Sequence, residues 1–109
     1  MTYEEYFAKV KKEFEGTDVS DFGEHLAYQF NVTGAGEGSF YIEVKEGMLF
    51  IEPYTYNDYD AMFTATADTF TSIMNGKIDP IWAFTIHKLK VDGNIEKALK
   101  LKELIARKK

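Results

Sequence analysis

The strongest constraint on this chain is a change of hydrophobic period. From about His25 to Thr66 apolar side chains recur at every second position. Leu26, Tyr28, Phe30 and Val32 alternate with Ala27, Gln29, Asn31 and Thr33, the signature of a strand with one face buried. Phe40, Ile42 and Val44 repeat the pattern against Tyr41, Glu43 and Lys45, and the segments Met48 to Tyr54 and Ala61 to Thr66 supply a third and a fourth strand. Gly34-Ala35-Gly36-Glu37-Gly38 and Glu46-Gly47 are turn signals,. The three short connections predict an antiparallel meander whose apolar face must be covered by helices.

Helical patterns flank this region. Thr2 and Glu5 have capping-box spacing,. Tyr3, Tyr6, Phe7, Val10 and Phe14 follow as one stripe, ended by Gly16,. Thr66 or Asp68 can cap a short helix bearing Phe70, Ile73 and Met74, which Asn75-Gly76 stops. Asp79-Pro80 opens another, a capping carboxylate followed by proline at the first helical position,. His87, Leu89 and Val91 read as a fifth strand, and Asp92-Gly93-Asn94 turns into a last helix from about Ile95 to Arg107. The expected architecture is α+β: a five-stranded, mostly antiparallel sheet covered on one face by helices, in the order α-β-β-β-β-α-α-β-α. At 109 residues, without repeat or linker, positions 1–109 form one domain,.

Several function classes drop out. Thirteen Lys and Arg against 18 Asp and Glu leave a net charge of −5, which argues against nucleic acid as a partner. The longest apolar runs, Met48 to Ile51 and Ile81 to Phe84, are too short for stable membrane insertion,. The absence of cysteine removes disulfides, thiolate catalysis and the usual structural zinc sites,. His25 and His87 lie far apart, so no metal is expected. No basic-then-apolar leader opens the chain, so the expected compartment is cytoplasmic,.

Catalytic patterns are equally thin. Gly34, Gly36 and Gly38 join two strands, and Ser39 stands where a dinucleotide loop needs its last glycine,. Ser20, Ser39 and Ser72 lack a nucleophile elbow,. Tyr54, Tyr56, Asp58, Tyr59 and Asp60 bring carboxylates beside phenols, the chemistry an isomerase would use with Asp58 or Asp60 as base,. A polar loop explains the same residues.

The last helix carries more apolar surface than a sheet can cover. Ile95, Ala98, Leu99, Leu101, Leu104 and Ile105 span an arc of roughly 220° at 100° per residue,, against a stripe of roughly 100° on an ordinary surface helix. The short helices with Phe70, Ile73, Met74, Ile81, Trp82 and Phe84 are similarly rich. Helix–helix packing, a dimer seam or an apolar ligand cavity would each use this surface.

The segment Tyr59 to Phe70 resembles the strand-to-helix signature of the sterol carrier protein 2 (SCP-2) family, as does Ile73-Met74-Asn75-Gly76-Lys77-Ile78-Asp79-Pro80. Lys88 to Asn94 followed by Ala98, Leu99, Leu101 and Leu104 is similar to the family's closing strand and helix, and Gly38 to Ile51 to its central hairpin. The resemblance covers positions 20 to 106. It implies a five-stranded sheet and helices enclosing an apolar tunnel, non-catalytic binding or transfer of fatty acid, acyl-CoA or a similar lipid, and no cofactor. Its candidate walls are Phe63, Phe70, Ile73, Met74, Ile81, Trp82, Leu99, Leu101, Leu104 and Ile105, with Lys77, Lys88 or Lys90 meeting a polar head. Two departures matter. Asn94 replaces the family's usual aspartate, which also caps helices. The ending Ala106-Arg107-Lys108-Lys109 lacks a peroxisomal Ser-Lys-Leu,. That favours a bacterial or archaeal cytosol and an acyl chain over a sterol. A monomer or weak homodimer is expected, with a protein-interaction module as the alternative.

Overall fold

A computed structural model describes residues 2–108. Helix α1 (Tyr3–Phe14) is followed by β1 (Leu26–Thr33), β2 (Gly38–Lys45), β3 (Met48–Glu52) and β4 (Ala61–Thr66). Then come α2 (Ala67–Met74), α3 (Pro80–Thr85), β5 (Lys90–Gly93) and α4 (Ile95–Ala106). The element order and the α+β class agree with the sequence expectation.

Each boundary has a local cause. Thr2 caps α1 through a complete capping box with Glu5, Thr66 caps α2, Asp79 caps α3 ahead of Pro80, and Asn94 caps α4. Glu46 and Gly47 both take positive φ, 53° and 76°, as a two-residue hairpin between right-twisted strands requires,.

The strands lie in the order β3-β2-β1-β4-β5, and here the sheet departs from a meander. β1, β2 and β3 pair as antiparallel neighbours, but β4 pairs parallel with β1 and antiparallel with β5. The sheet is therefore mixed, with three antiparallel pairings and one parallel. Eight residues separate Glu52 from Ala61. A chain that long reaches roughly 25 Å when extended, enough to cross two strands instead of closing a hairpin. The Tyr56 amide donates to Gln29 Oε1 and its phenol to Glu43 Oε2, at 2.8 and 2.9 Å. The crossing loop therefore lies over the face opposite the helices. Two polar residues beneath it, Gln29 and Glu43, are consequently buried.

The other face carries the core. Register places Phe30 opposite Phe40 on β2 and Phe63 on β4. The three rings stack at 5.0 and 5.3 Å, and Phe70 of α2 meets Phe30 edge-on at 5.5 Å,. Tyr6, Val10 and Phe14 bury one side of α1 against this sheet, and Leu101 and Leu104 bury one side of α4. The Tyr28 phenol, pushed well up from its usual value by burial, donates to the Lys97 carbonyl of α4.

β5 is shorter than the sequence suggests. His87 and Lys88 belong to the end of α3, because the Lys88 amide bonds Ala83 O and the His87 amide bonds Phe84 O. This is a Schellman closure with His87 in the left-handed region at φ 64°,.

Candidate functional site

The wide apolar arc of α4 is divided in the structure. Leu101 and Leu104 enter the core, whereas Ile95 and Leu99 stay 53% and 52% exposed. Opposite them, α3 is six residues long and buries only Ala83. Its Ile81 and Phe84 are each 49% exposed. A short helix capped at both ends cannot bury every apolar side chain of Pro80-Ile81-Trp82-Ala83-Phe84, so part of its surface faces the gap towards α4.

That gap is a cleft of about 220 Å³. Pro80, Ile81 and Phe84 of α3 form one wall, and Ile95, Ala98, Leu99 and Lys102 of α4 form the other. Phe63 and Val91 on the sheet, with Leu89, make the floor. The α4 residues sit at i, i+3, i+4 and i+7, one helical stripe, and Lys102 is the charged member at its end. Lys102 Nζ lies 2.6 Å from Asp79 Oδ2, bridging the two walls at the rim. Asp79 Oδ1 accepts the Ile81 amide at 2.7 Å. Lys102 first, then that amide, hold the Asp79 carboxyl below its ordinary value.

The sequence candidates fall into three groups. Phe63, Ile81 and Leu99 line the cleft. Phe70, Ile73, Met74, Leu101 and Leu104 are buried in the packed core. Trp82, 58% exposed, and half-buried Ile105 lie outside the lining. Lys77, Lys88 and Lys90 are exposed and line neither wall. Pro80, Phe84, Leu89, Val91, Ile95, Ala98 and Lys102 also line the cleft and are not among the candidate walls expected from the sequence. Ile95, Ala98, Leu99 and Lys102 share a stripe that helical spacing could have revealed, but the split of the arc depends on where α3 docks.

A second groove of about 750 Å³ runs between the end of α1 and edge strand β3. Phe7, Phe14, Met48, Leu49 and Ile51 give it apolar walls, with Lys11 and Lys12 beside them.

Asp58 and Asp60, the candidate bases of the isomerase alternative, stand in different settings. Asp58 is exposed in the crossing loop. Asp60 Oδ2 accepts the Ala27 amide at 2.8 Å and Oδ1 faces Lys97 Nζ at 3.2 Å. Asp60 thus anchors β4 to β1 and α4.

The model of the SCP-2 sterol transfer family matches residues 6–106. The chain belongs to this family. Hydroxysteroid dehydrogenase-like protein 2 of Bos taurus is 31% identical over 81 residues, covering 72% of this chain and 19% of the relative. Human sterol carrier protein 2 is 34% identical over 71 residues, covering 65% of this chain and 13% of the relative. This SCP-2 chain therefore spans less than a fifth of the length of those relatives. The solution structure of sterol carrier protein-2 from Aedes aegypti in complex with palmitate superposes with a TM-score of 0.66. It is 25% identical, and the match covers 100% of this chain and 98% of that one. Among the described residues of the SCP-2 chain, no helix is long and apolar enough to cross a membrane.

Proposed function

We propose that residues 1–109 act as a single non-catalytic domain that binds and carries a long-chain acyl lipid, its tail held in the cleft between α3 and α4. The observation that carries this reading is the pairing of exposed apolar side chains across a gap: Ile81 and Phe84 face Ile95 and Leu99 over a floor of Phe63 and Val91. The Aedes aegypti relative, solved with palmitate, supports an acyl chain as the ligand. An engineered cavity of about 150 Å³ already accepts benzene. A cleft of about 220 Å³ holds a stretch of acyl chain and leaves the rest to the walls. Each methylene removed from water contributes about 0.8 kcal/mol, part of which is lost to ordering the chain.

Palmitate titrated into the chain, followed through the fluorescence of Trp82 on α3, tests the reading. Saturable binding, a melting temperature that rises with palmitate, and loss of both in Leu99→Asp support it. No spectral change and no thermal shift with palmitate overturn it.

One observation favours a second reading. Trp82 projects outside the cleft at 58% exposure beside Ile81 and Phe84, a patch that self-association would cover. On that reading the chain is an interaction module. Sedimentation would then show a concentration-dependent dimer that Trp82→Ser abolishes, with palmitate having no effect.

A further inference from the structure

Lys102 contributes its stem and its charge to different places. Its aliphatic chain lines the apolar cleft, while its ammonium meets Asp79 at the rim, where the two side chains are 57% and 40% exposed,. An ion pair this open to water is a weak tie. A carboxylate arriving at the rim on an acyl chain could therefore take the place of Asp79 at little cost. The ammonium keeps an anionic partner, and the Asp79 carboxylate, already accepting the Ile81 amide through Oδ1, returns to water through Oδ2. The end of the cleft is set by sequence spacing: Ile95, Ala98 and Leu99 offer apolar surface, and one turn on the stripe ends in a cation.

We propose that Lys102 is the specificity-determining residue of the cleft: it binds the carboxylate of a fatty acid by exchanging it for Asp79, so that the lipid lies head-first at the Asp79–Lys102 rim with its tail towards Ile95. This rests on the acyl-binding reading above and adds the ligand's charge and direction. Lys11 and Lys12, beside the groove at β3, offer the competing place for the head.

The test compares dodecanoate with dodecanol, equal chains with and without charge, on the 109-residue chain and its variants. Lys102→Met, which keeps the stem, should weaken dodecanoate by about tenfold and leave dodecanol within about twofold, the loss of one charge-assisted bond. Lys102→Arg should restore the preference. Asp79→Asn, which retains a capping oxygen, should tighten dodecanoate several-fold. Equal weakening of both probes in Lys102→Met would make the residue a wall only and overturn the proposal. So would an inert Lys102→Met together with loss of dodecanoate in Lys11→Met/Lys12→Met. If the unaltered chain binds neither probe, the acyl-binding reading fails as well, which separates the two failures.

Discussion

Asp60 and Ala27 hold each other through two reciprocal hydrogen bonds at the point where the parallel strands begin. The Asp60 amide donates to Ala27 O at 2.8 Å, the Asp60 carboxylate accepts the Ala27 amide at 2.8 Å, and its other oxygen faces Lys97. Ala27 is 1% exposed, so its amide has no water to fall back on. Asp60→Ala should cost about 1–3 kcal/mol, the penalty of a buried donor left unpaired. Asp60→Asn, which keeps an acceptor and loses the charge facing Lys97, should cost less than about 1 kcal/mol. Urea denaturation checks both. Palmitate affinity should be unchanged in each variant, because Asp60 lies outside the cleft lining.

Helices α2 and α3 end in the same closure with different residues at the left-handed position. After α2 it is Gly76 at φ 75°, with its amide on Ile73 O and the Lys77 amide on Ser72 O. After α3 it is His87 at φ 64°, an exposed residue with a Cβ. A non-glycine residue in this region is strained by about 1 kcal/mol or more. His87→Gly should therefore raise stability by about 0.5–1 kcal/mol, and Gly76→Ala should lower it by a similar amount. Thermal melts of the two variants should shift in opposite directions.

Most of the fold is legible in the sequence because its signals are local. The capping box of Thr2 and Glu5, Asp79 before Pro80, and the alternation of Leu26, Tyr28, Phe30 and Val32 each act within a few residues. The place of β4 does not. Its pairing with β1 depends on a loop crossing the sheet, and the contacts that fix the loop join Tyr56 to Gln29 and Glu43, 27 and 13 residues away. His87 misleads for the opposite reason: a histidine alternating with Leu89 and Val91 looks like a strand residue, whereas backbone closure after α3 claims it. The site is legible as surplus rather than as residues. The arc on α4 announces that Ile95, Leu99, Leu101 and Leu104 cannot all face the sheet, but the docking of α3 decides which two stay exposed. Lys102 reads in sequence as an interruption of that arc, and becomes a site candidate only when Asp79 is placed across from it.

The crossing loop is fastened by Tyr56. Its phenol donates to Glu43 Oε2, which is also 2.5 Å from His25 Nε2, and its ring packs on Tyr41 at 5.1 Å. Because Glu43 accepts the phenol's hydrogen bond, it stabilises the neutral form, and the Tyr56 pKa is pushed up to about 12,. Glu43→Gln should bring that titration back towards the ordinary 10.0, as read from the phenol's ring carbons in NMR. Tyr56→Phe should release the loop locally: amide exchange should quicken between positions 54 and 59, while β4 and the cleft remain protected.

Acid and alkali should unfold the chain by different groups. Glu5, Asp21 and Asp79 have folded-state carboxyl pKa values below their ordinary 4.5, 3.8 and 3.8, held there by the Thr2 amide, Arg107 and Lys102 in turn. A depressed carboxyl stabilises the fold fully above its unfolded value and loses that contribution as pH falls through the folded one. Tyr6 and Tyr28 are shifted the other way by burial, Tyr6 to about 12, from an ordinary 10.0. Above that ordinary value the unfolded phenols release protons that the folded ones keep, so stability falls as pH climbs. The melting temperature should therefore be level between about pH 5 and pH 10 and decline on both sides. Asp79→Asn should flatten part of the acid limb, because one carboxyl no longer has to be protonated, and leave the alkaline limb untouched. Tyr6→Phe should reduce the alkaline decline and leave the acid limb as it was. A thermal scan across pH on the three proteins reads both limbs, and an acid limb in Asp79→Asn that superposes on the parent's would show that the Lys102 ion pair contributes nothing to acid stability.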